Sequence, residues 1–121
     1  TKKTVIVGST ARQYGYAHQA ALMLDEREYP FVPLGIQEGE VLGRPIRSIY
    51  DKPELGEVHT LTMYINPQRQ KDWYDYLLSL EPQRIIFNPG SENAELKNKA
   101  EKQGVECVEA CTLVMLSIGN F

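Results

Sequence analysis

Apolar positions along the chain alternate between short unbroken runs and helical spacings, and that alternation predicts the elements. Residues 3–7 form a short apolar run that stops at Gly8, the pattern of a buried strand followed by a tight turn. Over 16–28 the small and apolar residues Ala17, Ala20, Ala21 and Leu24 recur at helical spacing. Residues 31–34 read as a second strand, short because Pro30 and Pro33 sit at its start and within it. Residues 37–43 read as a loop, and 48–50 as a short helical turn. The next strand is 60–65. Asn66-Pro67 then sets an N-cap and a first helical residue, predicting a helix that runs through Trp73, Tyr76, Leu77 and Leu80 and ends before Pro82. A strand at 84–87 precedes Asn88-Pro89-Gly90-Ser91. Ser91 is placed to cap a helix over 92–103 that stops at Gly104. A last strand at 105–108 and a terminal helix at 112–118 complete the chain.

Strands alternating with helices about a dozen residues long predict βαβ units with right-handed crossovers. The expected architecture is α/β: a doubly wound, Rossmann-like, mostly parallel sheet of about five strands in three α/β/α layers. With 121 residues and neither repeat nor linker, residues 1–121 are expected to form one domain. Sheets of this kind bind ligands at the carboxyl ends of their strands, near the point where strand order reverses. The candidate site therefore lies among the turns after Val7, Leu34, Tyr64, Phe87 and Val108.

Charge and cysteine content narrow the function classes. A net charge of −3 without a basic run leaves no footprint for nucleic acid or an anionic membrane. No apolar run approaches the roughly 18 residues of a membrane span, and no secretory leader is read, so a cytoplasmic protein is expected. Cys107 and Cys111 make neither a disulfide framework nor a zinc site, since His18 and His59 are remote in sequence.

The turn after the first strand carries the chemistry. It reads Gly8-Ser9-Thr10-Ala11-Arg12-Gln13-Tyr14-Gly15-Tyr16. Gly8 permits a sharp exit from the strand, while Ser9, Thr10 and Gln13 offer side-chain donors. Arg12 adds a cation suited to phosphate, and the following helix presents free N–H groups. The pattern fits an anion site or simply a capped βα turn. It lacks the Gly-x-Gly-x-x-Gly fingerprint of dinucleotide sites and the Gly-Lys-Ser/Thr of a Walker loop.

In the order and spacing of several segments the chain resembles the small stand-alone CoA-binding proteins and the N-terminal domain of the succinyl-CoA synthetase alpha subunit. Gly8-Ser9-Thr10-Ala11-Arg12-Gln13 is similar to that subunit's Gly-x-Thr-Gly-Lys-Gln loop, and Gly15-Tyr16 to the pair opening its first helix. Gly39 with Leu42-Gly43-Arg44-Pro45, then Tyr64-Ile65-Asn66-Pro67, Asn88-Pro89-Gly90, and Gly104-Val105-Glu106 with Cys111 continue the likeness. The resemblance implies a small-molecule nucleotide ligand: coenzyme A, dephospho-CoA or another adenine nucleotide. It implies that Thr10 to Gln13 wrap the phosphates, and that Leu34, Gly35, Tyr64, Ile65, Asn66, Asn88, Pro89 and Gly90 line the rest of the path.

Relatives often carry a Lys after the second strand for the 3′-phosphate of CoA. This chain has Glu38 and Glu40 there, with Arg44 or Arg47 the nearest compensating cations. The expectation is a binding module without catalysis of its own. Two other readings stay open: a small enzyme on an acyl-CoA or nucleotide substrate with Cys111 as nucleophile, and a regulatory or assembly module without ligand. A protein partner or homodimer also stays open. His18 is read as a solvated helix residue and His59 as the start of a strand.

Overall fold

A computed structural model describes residues 2–121. Its main strands are β1 (Thr4–Val7), β2 (Phe31–Gly35), β6 (Thr60–Met63), β7 (Arg84–Phe87) and β8 (Glu106–Glu109). Three short ones, β3 (Glu40–Val41), β4 (Arg44–Pro45) and β5 (Arg47–Ser48), lie between β2 and β6. The helices are α1 (Tyr16–Glu26), α2 (Pro67–Gln70), α3 (Tyr74–Ser79), α4 (Ala94–Lys102) and α5 (Thr112–Ser117).

Six strands form one sheet in the order β5-β2-β1-β6-β7-β8, every neighbouring pair parallel. The sheet is doubly wound and Rossmann-like as expected, but with six strands rather than about five. The sixth is β5, two residues long, and so short a strand has no apolar run to announce it. Residues 37–43 are not all loop, because Glu40–Val41 pairs antiparallel with Arg44–Pro45 around a Leu42-Gly43 tip.

β1, β6 and β7 are buried at every position, the expected state of central parallel strands covered on both faces. Alternate side chains divide the core. Val5, Val7, Leu61, Met63, Ile85 and Phe87 pack towards α3 and α4. Ile6, Ile86 and Phe31 pack with Ala21, Leu24 and Leu116 from α1 and α5. Pro33 is tolerated within β2 because the carbonyls of Pro30 and Leu34 serve β1, which turns the nitrogen of Pro33 to the outer side. β5 joins that side only at Leu34 and Gly35.

Two predicted helices are corrected at their starts or middles. The helix begun at Asn66-Pro67 is broken: α2 ends at Gln70, a 3₁₀ turn spans Lys71–Trp73, and α3 follows. Asn66 does cap α2, accepting from Arg69 N–H at 3.0 Å. Ser91 is not the cap of the next helix; Asn93 is, accepting from Leu96 N–H at 3.0 Å. The Ser91 hydroxyl instead donates to Asn88 O at 2.8 Å, which closes the turn and delays α4 to Ala94. The last strand lies one residue later than predicted. No helix of the described residues is long and apolar enough to cross a membrane.

Candidate functional site

Strand order reverses between β1 and β6, since the chain leaves β1 for β2 on one side and leaves β6 for β7 on the other. At the carboxyl ends of these strands lies a hollow of about 720 Å³, within the ordinary range for small-molecule sites. Its floor comes from the β1 turn (Gly8, Ser9, Thr10), the end of β2 (Gly35) and the end of β6 (Tyr64, Ile65, Asn66).

Glycine makes that convergence possible. Gly8 has φ +100°, and a Cβ there would sit 2.7 Å from Ile65 Cγ2 and 3.0 Å from the Tyr64 carbonyl carbon. A Cβ on Gly35 would lie 2.3 Å from Ser9 O, so the β1 turn is laid directly against the end of β2. The N–H groups of Gly8 and Ser9 both donate to Leu34 O, at 2.8 and 3.0 Å. Leu34, wholly buried, therefore anchors the turn through its carbonyl and has no surface to offer a ligand.

The rest of the turn is open. Ala11, Arg12, Gln13, Tyr14 and Tyr16 are exposed, Tyr14 by 91% and Tyr16 by 72%. Gly15 is the N-cap of α1 and has no side chain to cap it, which leaves the first N–H groups of that helix for an outside acceptor. Of the side-chain donors expected here, Ser9 is spent, its hydroxyl donating to Ile6 O at 2.9 Å. Thr10 Oγ1 accepts from Arg12 N–H at 3.3 Å.

Gly8, Ser9, Thr10, Gly35, Tyr64, Ile65 and Asn66 thus come together at the hollow, whereas Ala11 to Tyr16 follow in the chain and are not part of its lining. Asn88, Pro89 and Gly90 do not line the hollow. Asn88 is 3% exposed and its side chain is fully occupied. Its amide donates to Thr62 Oγ1 (2.8 Å) and Met63 O (2.9 Å), and its oxygen accepts from Thr112 N–H (2.8 Å). It ties β6 to the start of α5. Glu38 and Glu40 are exposed and also lie off the lining. Arg44 is engaged elsewhere, 3.5 Å from Asp25 and 4.1 Å over the Phe31 ring.

Sequence reasoning missed Ile36, Ile49, Tyr50, Arg69, Asp72 and Trp73, which line the far side. The signal for the last three was the helix start at Asn66-Pro67, since a helix leaving a strand end must overhang that end. What fixes their placement is Gln70, the fully buried last residue of α2. Its amide donates to Ile65 O and Ser91 O, both at 2.8 Å, and its oxygen accepts from Asn93 at 2.9 Å. Asn93 also donates to Tyr74 OH at 2.8 Å.

Tyr64 borders the hollow with its hydroxyl buried and without a hydrogen-bond partner. Burial pushes its pKa up to about 12, against a weaker pull from the Thr62 and Thr112 hydroxyls, which bond to each other at 2.7 Å. Tyr64 stays a neutral donor at physiological pH.

Cys111 is half-buried at the N-cap of α5, and neither histidine hydrogen-bonds to it among the described residues. His59 precedes β6, at the far end of the sheet from the hollow, bonded through Nδ1 to Thr60 Oγ1 at 2.7 Å. Burial, with Arg84 nearby, lowers its pKa. His18 is half-buried rather than solvated, its Nδ1 enclosed without a partner. Burial pushes Cys107 up to about 11. No group of His, Cys, Asp or Glu among the described residues is placed to hold a metal ion.

Several solved structures are similar. One of an uncharacterized protein is 48% identical, with a TM-score of 0.95 over 99% of this chain and 98% of its own. A hypothetical protein from Pyrococcus horikoshii OT3 is 22% identical (TM-score 0.85, 97% and 82% covered), and a Thermus thermophilus protein 23% identical (0.82, 99% and 90%). At those identities the last two speak for the fold alone. No curated protein matches the chain. The model of the CoA binding domain matches residues 2–117, nearly the whole length, and on that match the chain belongs to the CoA-binding domain family.

Proposed function

We propose that the chain is a binding module for coenzyme A, or a close adenine nucleotide, with no catalysis of its own. The diphosphate lies on the turn from Gly8 to Tyr16, over the uncapped start of α1, and the adenosine end enters the hollow. One observation carries this reading: at the switch point, glycines at 8 and 35 let the β1 turn press against the ends of β2 and β6. The turn leads into α1, whose first N–H groups no side chain caps, and such a helix start favours an anionic group. Arg12, exposed in the same turn, supplies a cation for it. Membership of the CoA-binding domain family supports CoA over other anions.

Isothermal titration calorimetry with CoA, dephospho-CoA, NAD and ADP tests the proposal. CoA or dephospho-CoA is expected to bind most tightly, and Arg12→Glu to weaken that binding. Absence of heat with all four at millimolar concentration would remove the reading.

A further inference from the structure

The far wall of the hollow carries an arrangement that phosphate binding at the turn does not use. Tyr50 and Trp73 meet there with ring centroids 5.3 Å apart and planes at 74°. In such an edge-to-face pair, the ring presenting its edge keeps both faces free for a third planar group. Trp73 is held from behind, half-buried against the core cluster of α3, whereas Tyr50 is 64% exposed. A large exposed aromatic that has a rigid aromatic neighbour and borders a cavity is a platform awaiting a flat ligand.

Beside this pair stands Arg69, the one cationic side chain lining the hollow among the described residues, and it makes no ion pair there. Asp72 lines the same wall. With Arg69 the wall is close to neutral; without it the wall is negative and repels phosphate. Arg69 and Trp73 come from the segment pinned by Gln70, so cation and ring are held by one anchor.

From this geometry we infer that the far wall recognises the 3′-phosphoadenosine end of the ligand: the purine stacks on Tyr50 and Trp73, and Arg69 takes the ribose phosphate. The inference rests on the CoA reading above and assigns the residues that set its specificity. It also answers the question raised by Glu38 and Glu40. The cation for the 3′-phosphate comes from the helix after β6 rather than from the segment after β2.

Trp73 is the only tryptophan in the chain, so its fluorescence reports this wall alone. CoA should quench or shift its emission, with the same midpoint as the calorimetric titration. Arg69→Gln should weaken CoA by about tenfold while changing dephospho-CoA by less than about twofold, with Arg69→Lys restoring part of the loss. Tyr50→Ala should weaken both ligands. Both sites are exposed, so these variants keep the fold. Heat from CoA with unchanged Trp73 emission would overturn the inference and leave the CoA reading standing. So would Arg69→Gln weakening CoA and dephospho-CoA equally. No heat from CoA with the unaltered protein removes the CoA reading itself, and this inference with it.

Discussion

Asn88 offers the sharpest separation between holding the fold and holding the ligand. Replacing it with alanine removes three hydrogen bonds of 2.8 to 2.9 Å from a site only 3% exposed. Thr62 Oγ1 retains its bond to Thr112 Oγ1, but Met63 O and Thr112 N–H lose the partner Asn88 gave them. Each buried group so left costs about 1–3 kcal/mol, and partial entry of water brings the expected total to about 2–4 kcal/mol. An unfolding entropy of about 2.1 cal/mol/K per residue gives the 121-residue chain about 250 cal/mol/K, so Tm should fall by about 8–16 °C.

Asn88→Asp refines the test. The carboxylate still accepts from Thr112 N–H but faces Met63 O with an acceptor instead of a donor. At neutral pH it should do no better than alanine, and it should gain on alanine as pH falls towards about 4, where a protonated oxygen can donate. Thermal unfolding by circular dichroism gives Tm, and calorimetry below Tm gives affinity. For Asn88→Ala, CoA affinity of the folded protein should stay within about threefold of the unaltered value, since the side chain is spent inside the protein. An unchanged Tm with a large loss of affinity would refute the reasoning and return Asn88 to the ligand.

Four further outcomes are expected. Gly35→Ala should destabilise by about 1–3 kcal/mol, because its Cβ meets Ser9 O at 2.3 Å and must displace the β1 turn, and CoA affinity should fall with it; denaturant unfolding and calorimetry check both. Gln70→Ala should lower the denaturation midpoint and weaken ligand binding together, since its amide bonds to Ile65 O and Ser91 O hold in place the segment that carries Arg69 and Trp73. Tyr64, raised from 10.0 to about 12, keeps its proton longer when folded than when unfolded, so its stabilising contribution is full below pH 10 and lost as pH rises towards about 12. Cys107, raised from 9.0 to about 11, acts in the same sense from pH 9 upward. Tyr64→Phe should flatten the upper part of that alkaline loss, and iodoacetamide should leave Cys107 unmodified near neutral pH.

The parts of the fold legible in the sequence were those with strong local signals. A short apolar run marked β1, and Asn66-Pro67 marked a helix start, because burial and capping leave direct traces in composition. The turn at Gly8 was legible because a glycine there lets the chain leave the strand sharply. What escaped depends on contacts between distant segments. β5 is a strand only because Leu34 and Gly35 are there to pair with it. Ser91 was a reasonable cap in isolation, yet its hydroxyl closes the Asn88 turn, and Asn93 takes the role while also bonding Gln70 and Tyr74. Asn88 stood at a strand end where ligands bind, and no local pattern says that its amide points inward to Thr62 and Met63. The Tyr50–Trp73 wall joins residues from two connections, and periodicity within either one does not reveal it.

A crystal structure of the protein with CoA tests the central claim most directly. The diphosphate is expected against the turn from Gly8 to Tyr16, with the adenosine end in the hollow beside Ile65 and Asn66. CoA seated instead at the opposite end of the sheet, in the concavity lined by Asp75, Pro82, Gln83 and Gly104, would contradict it.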